Sequence, residues 1–88
     1  MDNAAVTRNR TQEEVLRAFG NRLRCLRKAQ RLRQLDMETL GLSYKYYQRL
    51  EAGQVNPTLL TLCKVAAALK VPVSDLLRPE PENEMQGN

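Results

Sequence analysis

The chain has 88 residues, 42% of them apolar, and a formal net charge of +4 without a single histidine. That length holds one small domain with a modest core, and the missing histidine removes the usual general base, the commonest zinc ligand and most catalytic triads. Two cysteines cannot complete a four-ligand metal site and no phosphate-cradling glycine motif occurs, so no enzyme, metal or cofactor is expected.

Residues 1–10 are polar and aperiodic and read as a flexible N-terminal arm. Thr11 then opens T-Q-E-E, a capping box in which Thr11 caps and Glu14 reaches back. Leu16, Phe19, Leu23 and Leu26 follow at 3-4-3 spacing, which predicts a helix over about 12–29 with arginines around its other faces. Gly20 inside it costs roughly 1 kcal/mol relative to alanine, a cost that a closely packed neighbouring helix would justify. A short second helix is predicted over about 34–40 from Leu35, Met37 and Leu40, with Gly41 as its stop. Ser43 is an N-cap for a third helix over about 44–51, which ends at Ala52-Gly53. Asn56-Pro57 reads as the start of a fourth, with Asn56 as cap and proline in the first helical position. That helix carries Leu59, Leu62, Val65, Ala66 and Leu69 on one face and ends near Lys70. Pro72 opens a last short helix through Leu76-Leu77, and Pro79 and Pro81 close the domain before an acidic flexible tail, 79–88. No segment alternates with period two, so the expected fold class is all-α, five helices in one domain over 11–78.

No apolar run approaches the ~18 residues of a membrane helix, and the first ten residues lack an apolar leader segment. Cys25 and Cys63 are therefore expected as reduced thiols in a cytoplasmic protein with no membrane partner. The charge is uneven: +4 over residues 11–53 and −3 over 79–88, with ten of the fourteen cations arginine. Arginine pairs bidentately with phosphate and with guanine edges, so a basic body with an acidic tail suggests a polyanionic partner. Solubility alone would also account for such a surface.

Two short helices joined by a tight glycine turn have the spacing of a helix-turn-helix, in which the second helix lies in the major groove of duplex DNA. Here that second helix reads Ser43-Tyr44-Lys45-Tyr46-Tyr47-Gln48-Arg49-Leu50. The run L-S-x-x-x-Y-x-x-L-E-x-G-x-x-N-P, followed by L-x-x-L-x-x-V-A-x-A-L, makes Phe19–Leu77 resemble the lambda-repressor-like, Cro/C1-type (XRE) helix-turn-helix family.

The resemblance implies a homodimeric, sequence-specific regulator of transcription on a palindromic operator, with double-stranded DNA as partner. It implies base contacts from Tyr44, Lys45 and Arg49, with Gln48 as a further candidate. Backbone phosphate contacts map to Gln34, Ser43 and Asn56, and Arg33 is a candidate for the same role. Tyr46 stays open between a phosphate contact and a solvated face, while Tyr47 is assigned to packing. Arg27 and Glu51 fall where the family places a partly buried ion pair. Val71, Val73, Leu76 and Leu77 are the expected dimer surface. The chain departs from the family pattern in being one residue shorter between Leu32 and Gly41, which leaves the phase of the second helix open. It also has Arg31 where the family often has glycine. Two other readings stand beside this one: an antitoxin-like protein-binding module on the same fold, and a helical interaction domain with no DNA role.

Overall fold

Thr11 caps the first helix as the capping box requires: its hydroxyl accepts from the Glu14 N–H at 3.1 Å and its own N–H donates to Glu14 Oε1 at 3.0 Å. The computed structural model describes residues 11–78; the arm 1–10 and the tail 79–88 lie outside the described residues. Five helices follow in order: α1 (Gln12–Ala29), α2 (Asp36–Thr39), α3 (Tyr44–Glu51), α4 (Leu59–Leu69) and α5 (Val73–Leu76). No strand occurs among the described residues. Each helix turns its apolar stripe inward, so that Phe19 and Leu23 of α1 meet Met37, Leu42, Tyr47, Leu50, Val65, Ala66, Leu69 and Leu76 in one core.

Two boundaries differ from the sequence expectation. The second helix is only four residues long because the chain there is wound tighter than an α-helix. Asp36, Met37 and Glu38 donate three residues back, to the carbonyls of Arg33, Gln34 and Leu35, which is 3₁₀ bonding. Asp36 fixes that entry, accepting from the Arg33 N–H at 2.7 Å and from its guanidinium at 2.8 Å. Gln34 thus sits in a turn ahead of α2. The fourth helix is capped by Thr58, whose hydroxyl accepts from the Thr61 N–H at 3.1 Å. Asn56 and Pro57 precede the cap outside any regular element, so Asn56 is not the N-cap.

Helices α1, α2, α3 and α4 end by one device. In each, a residue with positive φ is followed by an N–H that reaches five residues back: Leu32 to Arg27, Leu42 to Met37, Gln54 to Arg49 and Val71 to Ala66. Gly41 and Gly53 fill two of the left-handed positions, whereas Arg31 and Lys70, both at φ 60°, fill the others. An L-residue pays about 1–2 kcal/mol for that conformation, part of which glycine returns as unfolded-chain entropy. Lys70→Gly is therefore expected to stabilise the domain by about 0.5–1 kcal/mol, read as a higher urea midpoint at unchanged m-value. A lower midpoint would show that Lys70 supports the fold through its side chain.

Candidate nucleic-acid interface

Ser43 caps α3 through its hydroxyl, which accepts from the Tyr46 N–H at 3.4 Å. From that start the helix divides by face. Tyr47, Leu50 and Glu51 are buried; Tyr44 and Tyr46 are half-buried; Lys45, Gln48 and Arg49 are exposed. The exposed set recurs at i, i+3 and i+4, so α3 presents one continuous polar stripe bearing two cations.

Behind that stripe lies a buried ion pair between the first helix and the third. Arg27 and Glu51 are 7% and 2% exposed. The pair is bidentate, with Arg27 Nε donating to Glu51 Oε2 at 2.6 Å and Nη2 to Oε1 at 3.0 Å. The remaining guanidinium nitrogen, Nη1, donates to the Leu32 carbonyl at 2.7 Å and so ties the same side chain to the end of α1. Burial pushes the Glu51 carboxyl up. The hydrogen bonds and charge of Arg27, with Gln34 adding to them, outweigh it and leave Glu51 below the usual carboxylate range. The Glu51 hydrogen bonds raise Arg27 correspondingly.

A polar chain runs outward from this pair to the α3 stripe. Gln34 Nε2 donates to Glu51 Oε1 at 2.9 Å. Gln48 Nε2 donates to the Tyr44 hydroxyl at 3.1 Å and stands 3.5 Å from Gln34 Oε1. Gln34, Gln48 and Tyr44 are thereby brought to one edge of α3. Beneath them, the Tyr47 ring is fully buried and its hydroxyl has no hydrogen-bond partner among the described residues. Burial first, and the nearby Glu51 carboxylate second, raise its phenol above the ordinary range, so it stays neutral.

The other predicted positions are more dispersed. Arg33 is exposed and bound to Asp36, whose carboxyl these hydrogen bonds pull down to about 2. Asn56 is exposed in the loop after α3, where it borders a shallow groove with Gln12, Val15 and Leu16. Leu76 is fully buried in the core of its own domain and cannot be a contact surface. A one-turn helix leaves its apolar residues no choice but to pack inward on α4 and α1, and Arg22 Nε holds it there through the Asp75 carbonyl at 2.8 Å. Val71 and Val73 are partly buried against the same core, which leaves Leu77 exposed.

Leu59, expected on the apolar face of α4, is 69% exposed, and its neighbour Leu60 is 79% exposed, both in the first turn of the helix. Sequence reasoning overlooked Arg24, 3.7 Å from Glu51 Oε1. The seven-residue repeat Arg17–Arg24–Arg31 was a signal for it. Cys25 and Cys63 are both exposed and form no disulfide. No helix among the described residues is long and apolar enough to cross a membrane.

Comparison with known proteins agrees with this arrangement. The sequence model of the helix-turn-helix family matches residues 23–76. An uncharacterised HTH-type transcriptional regulator of Sinorhizobium fredii, y4dJ, is 34% identical over 70 residues, covering 78% of this chain and 91% of that protein. Among solved structures, the restriction-modification controller protein C.AhdI of Aeromonas hydrophila superposes with a TM-score of 0.67 at 40% identity, over 69% of this chain and 94% of its own. The hypothetical transcription factor NHTF from Neisseria superposes with a TM-score of 0.72 over 90% of this chain and 91% of its own; at 24% identity that likeness speaks to the fold. The five helices of the described residues, the helix-turn-helix over α2 and α3 and these relatives place the chain in the lambda-repressor-like, Cro/C1-type helix-turn-helix family of DNA-binding transcriptional regulators.

Proposed function

We propose that the protein is a cytoplasmic, homodimeric, sequence-specific regulator that lays α3 in the major groove of a palindromic operator. The observation that carries this reading is the outward stripe of α3, Lys45, Gln48 and Arg49, set on a helix locked from behind by a bidentate buried ion pair. Lysine and arginine suit guanine O6 and N7, and Tyr44 offers a hydroxyl and an apolar edge toward a thymine methyl. Ser43 and Tyr46 on α3, with Asn56 in the loop after it, are the phosphate contacts of this reading, which set register without reading sequence. Gln34 and Arg33 fit that role less simply, since the first is engaged by Glu51 and the second by Asp36.

One recognition helix reads only a few base pairs, so two copies on half-sites roughly 34–36 Å apart are expected. With Leu76 in the core, the most exposed large apolar side chains left for contact with a second copy are Leu60, Leu59 and Leu77. Selection of bound sequences from a random duplex pool tests the whole reading. A two-fold-symmetric consensus is the expected result, and the absence of any enrichment would overturn it.

Lys45→Ala and Arg49→Ala should each cost about 1–3 kcal/mol of operator binding and relax preference at particular base pairs. Wild-type selectivity in both variants would exclude α3 from the groove. With three to five phosphates contacted per protomer, operator affinity should fall roughly 10³–10⁵-fold between 50 and 200 mM salt.

A further inference from the structure

Two guanidinium groups share the Glu51 carboxylate. Arg27 takes it by two short hydrogen bonds, and Gln34 takes a third position on Oε1. Arg24 stands further off, with Nε 3.7 Å from Oε1, beyond hydrogen-bonding distance though within reach of the charge. The group of two arginines and one carboxylate carries a net positive charge, and the surplus falls on the member that faces water. The Arg24 side chain is 44% exposed against 8% for Arg27. Its hydrogen bond to Asn21 Oδ1, at 3.3 Å, is to a neutral group, and the Glu51 carboxylate it approaches is already bound by Arg27.

The position of that surplus follows from the contacts of Glu51 Oε1. The same oxygen binds Gln34, whose amide stands beside Gln48, which in turn binds Tyr44. Arg24 therefore approaches the same Glu51 oxygen as Gln34, the inner end of the chain that leads through Gln48 to Tyr44. Along α1 it belongs to an exposed row, Arg17, Asn21, Arg24 and Lys28, at the spacing of one helical face. The acidic residues of α1, Glu13 and Glu14, lie in its first turn, at the start of the same face and well before Arg24.

We propose that Arg24 is a binding site for one DNA phosphodiester, on the strand that borders the Tyr44 edge of α3. Glu51 holds the Nε side of the guanidinium, and its terminal nitrogens supply the donors to the phosphate. The site rests on the reading that α3 enters the major groove. It adds to that reading a clamp from the first helix, which couples DNA contact to the carboxylate that locks α1 to α3.

The test is a salt titration of binding by the full chain carrying Arg24→Ala, against the selected operator and an unrelated duplex. Arg24→Ala is expected to weaken both by the same factor, roughly tenfold, and to flatten the slope of log K against log salt by about 0.9 per site. The thermal midpoint should not move, because Arg27 and Gln34 still hold Glu51 by hydrogen bonds. Arg24→Lys should recover the slope. Lys64→Ala removes one charge from the exposed side of α4 and should change the slope less. A wild-type slope in Arg24→Ala, or equal changes in Arg24→Ala and Lys64→Ala, would overturn the site while leaving the groove reading intact. Failure of the wild-type chain to select any sequence would sink both.

Discussion

Glu51→Ala is expected to remove about 3–5 kcal/mol of folding stability, most of what a domain of this size has. The reason is the charge left behind, not the bond lost. Arg27 is 7% exposed, and its guanidinium would lose the two hydrogen bonds that compensate its burial, with only the Leu32 carbonyl remaining. Gln34 would lose its acceptor too. Replacing both charges by apolar residues of similar length, as in Arg27→Met with Glu51→Leu, should recover most of the loss. Urea unfolding of the two single variants and the double variant measures this directly, and additive losses would mean the pair is not coupled.

The same pair predicts the acid limb of stability. Glu51 is held below its ordinary range by Arg27 and Gln34, and Asp36 is pulled to about 2 by Arg33. A carboxyl lowered in the folded state contributes stability that is full above its unfolded value, about 4 for these side chains, and disappears as pH falls through the folded one. The protein should therefore hold constant stability near neutrality and lose it progressively from about pH 4 downward. Glu51→Ala should shrink that decline, leaving the part that belongs to Asp36. An unchanged acid limb in the variant would show that Glu51 does not titrate with unfolding.

Much of this fold is legible locally. The Thr11 capping box and the Gly41 and Gly53 stops announce themselves because their chemistry is confined to neighbouring residues. Arg31 and Lys70 do not, because the backbone bonds that close α1 and α4 impose a left-handed residue whatever its side chain. Asn56 and Thr58 are both capping residue types, and sequence offers no means of choosing between them. The Leu76 error has another origin. A short terminal helix looks as if it has apolar surface to spare, yet here the preceding helices leave a space that Leu76 fills completely. The outward positions of α3, Lys45, Gln48 and Arg49, were reached through the family resemblance. The link from Gln34 to Glu51 was not legible, since it spans 17 positions and depends on the tightened turn before α2.

Gly20→Ala should reverse the sign that helix propensity assigns it. In an isolated helix the change would gain roughly 1 kcal/mol. Here a Cβ at position 20 would stand 2.3 Å from the Glu51 carbonyl oxygen, 2.7 Å from its carbon and 2.8 Å from the Leu50 carbonyl oxygen, where 3.4–4 Å is ordinary contact. All three atoms are backbone in the last turn of α3, so no side chain can swing aside. Relief requires α1 and α3 to separate by about an ångström, which opens the core between them and stretches the Arg27–Glu51 bonds that cross the same contact. Overpacking of this kind costs about 1–3 kcal/mol or more, and strain on a buried ion pair adds to it, so a net loss of about 2–3 kcal/mol is expected in urea unfolding. Because the displaced element is the helix that carries Lys45, Gln48 and Arg49, operator affinity should fall further than the unfolded fraction accounts for. A Gly20→Ala domain as stable as the wild type would mean that α1 can shift without disturbing the ion pair. The close approach at Gly20 would then not be what sets the angle of α3.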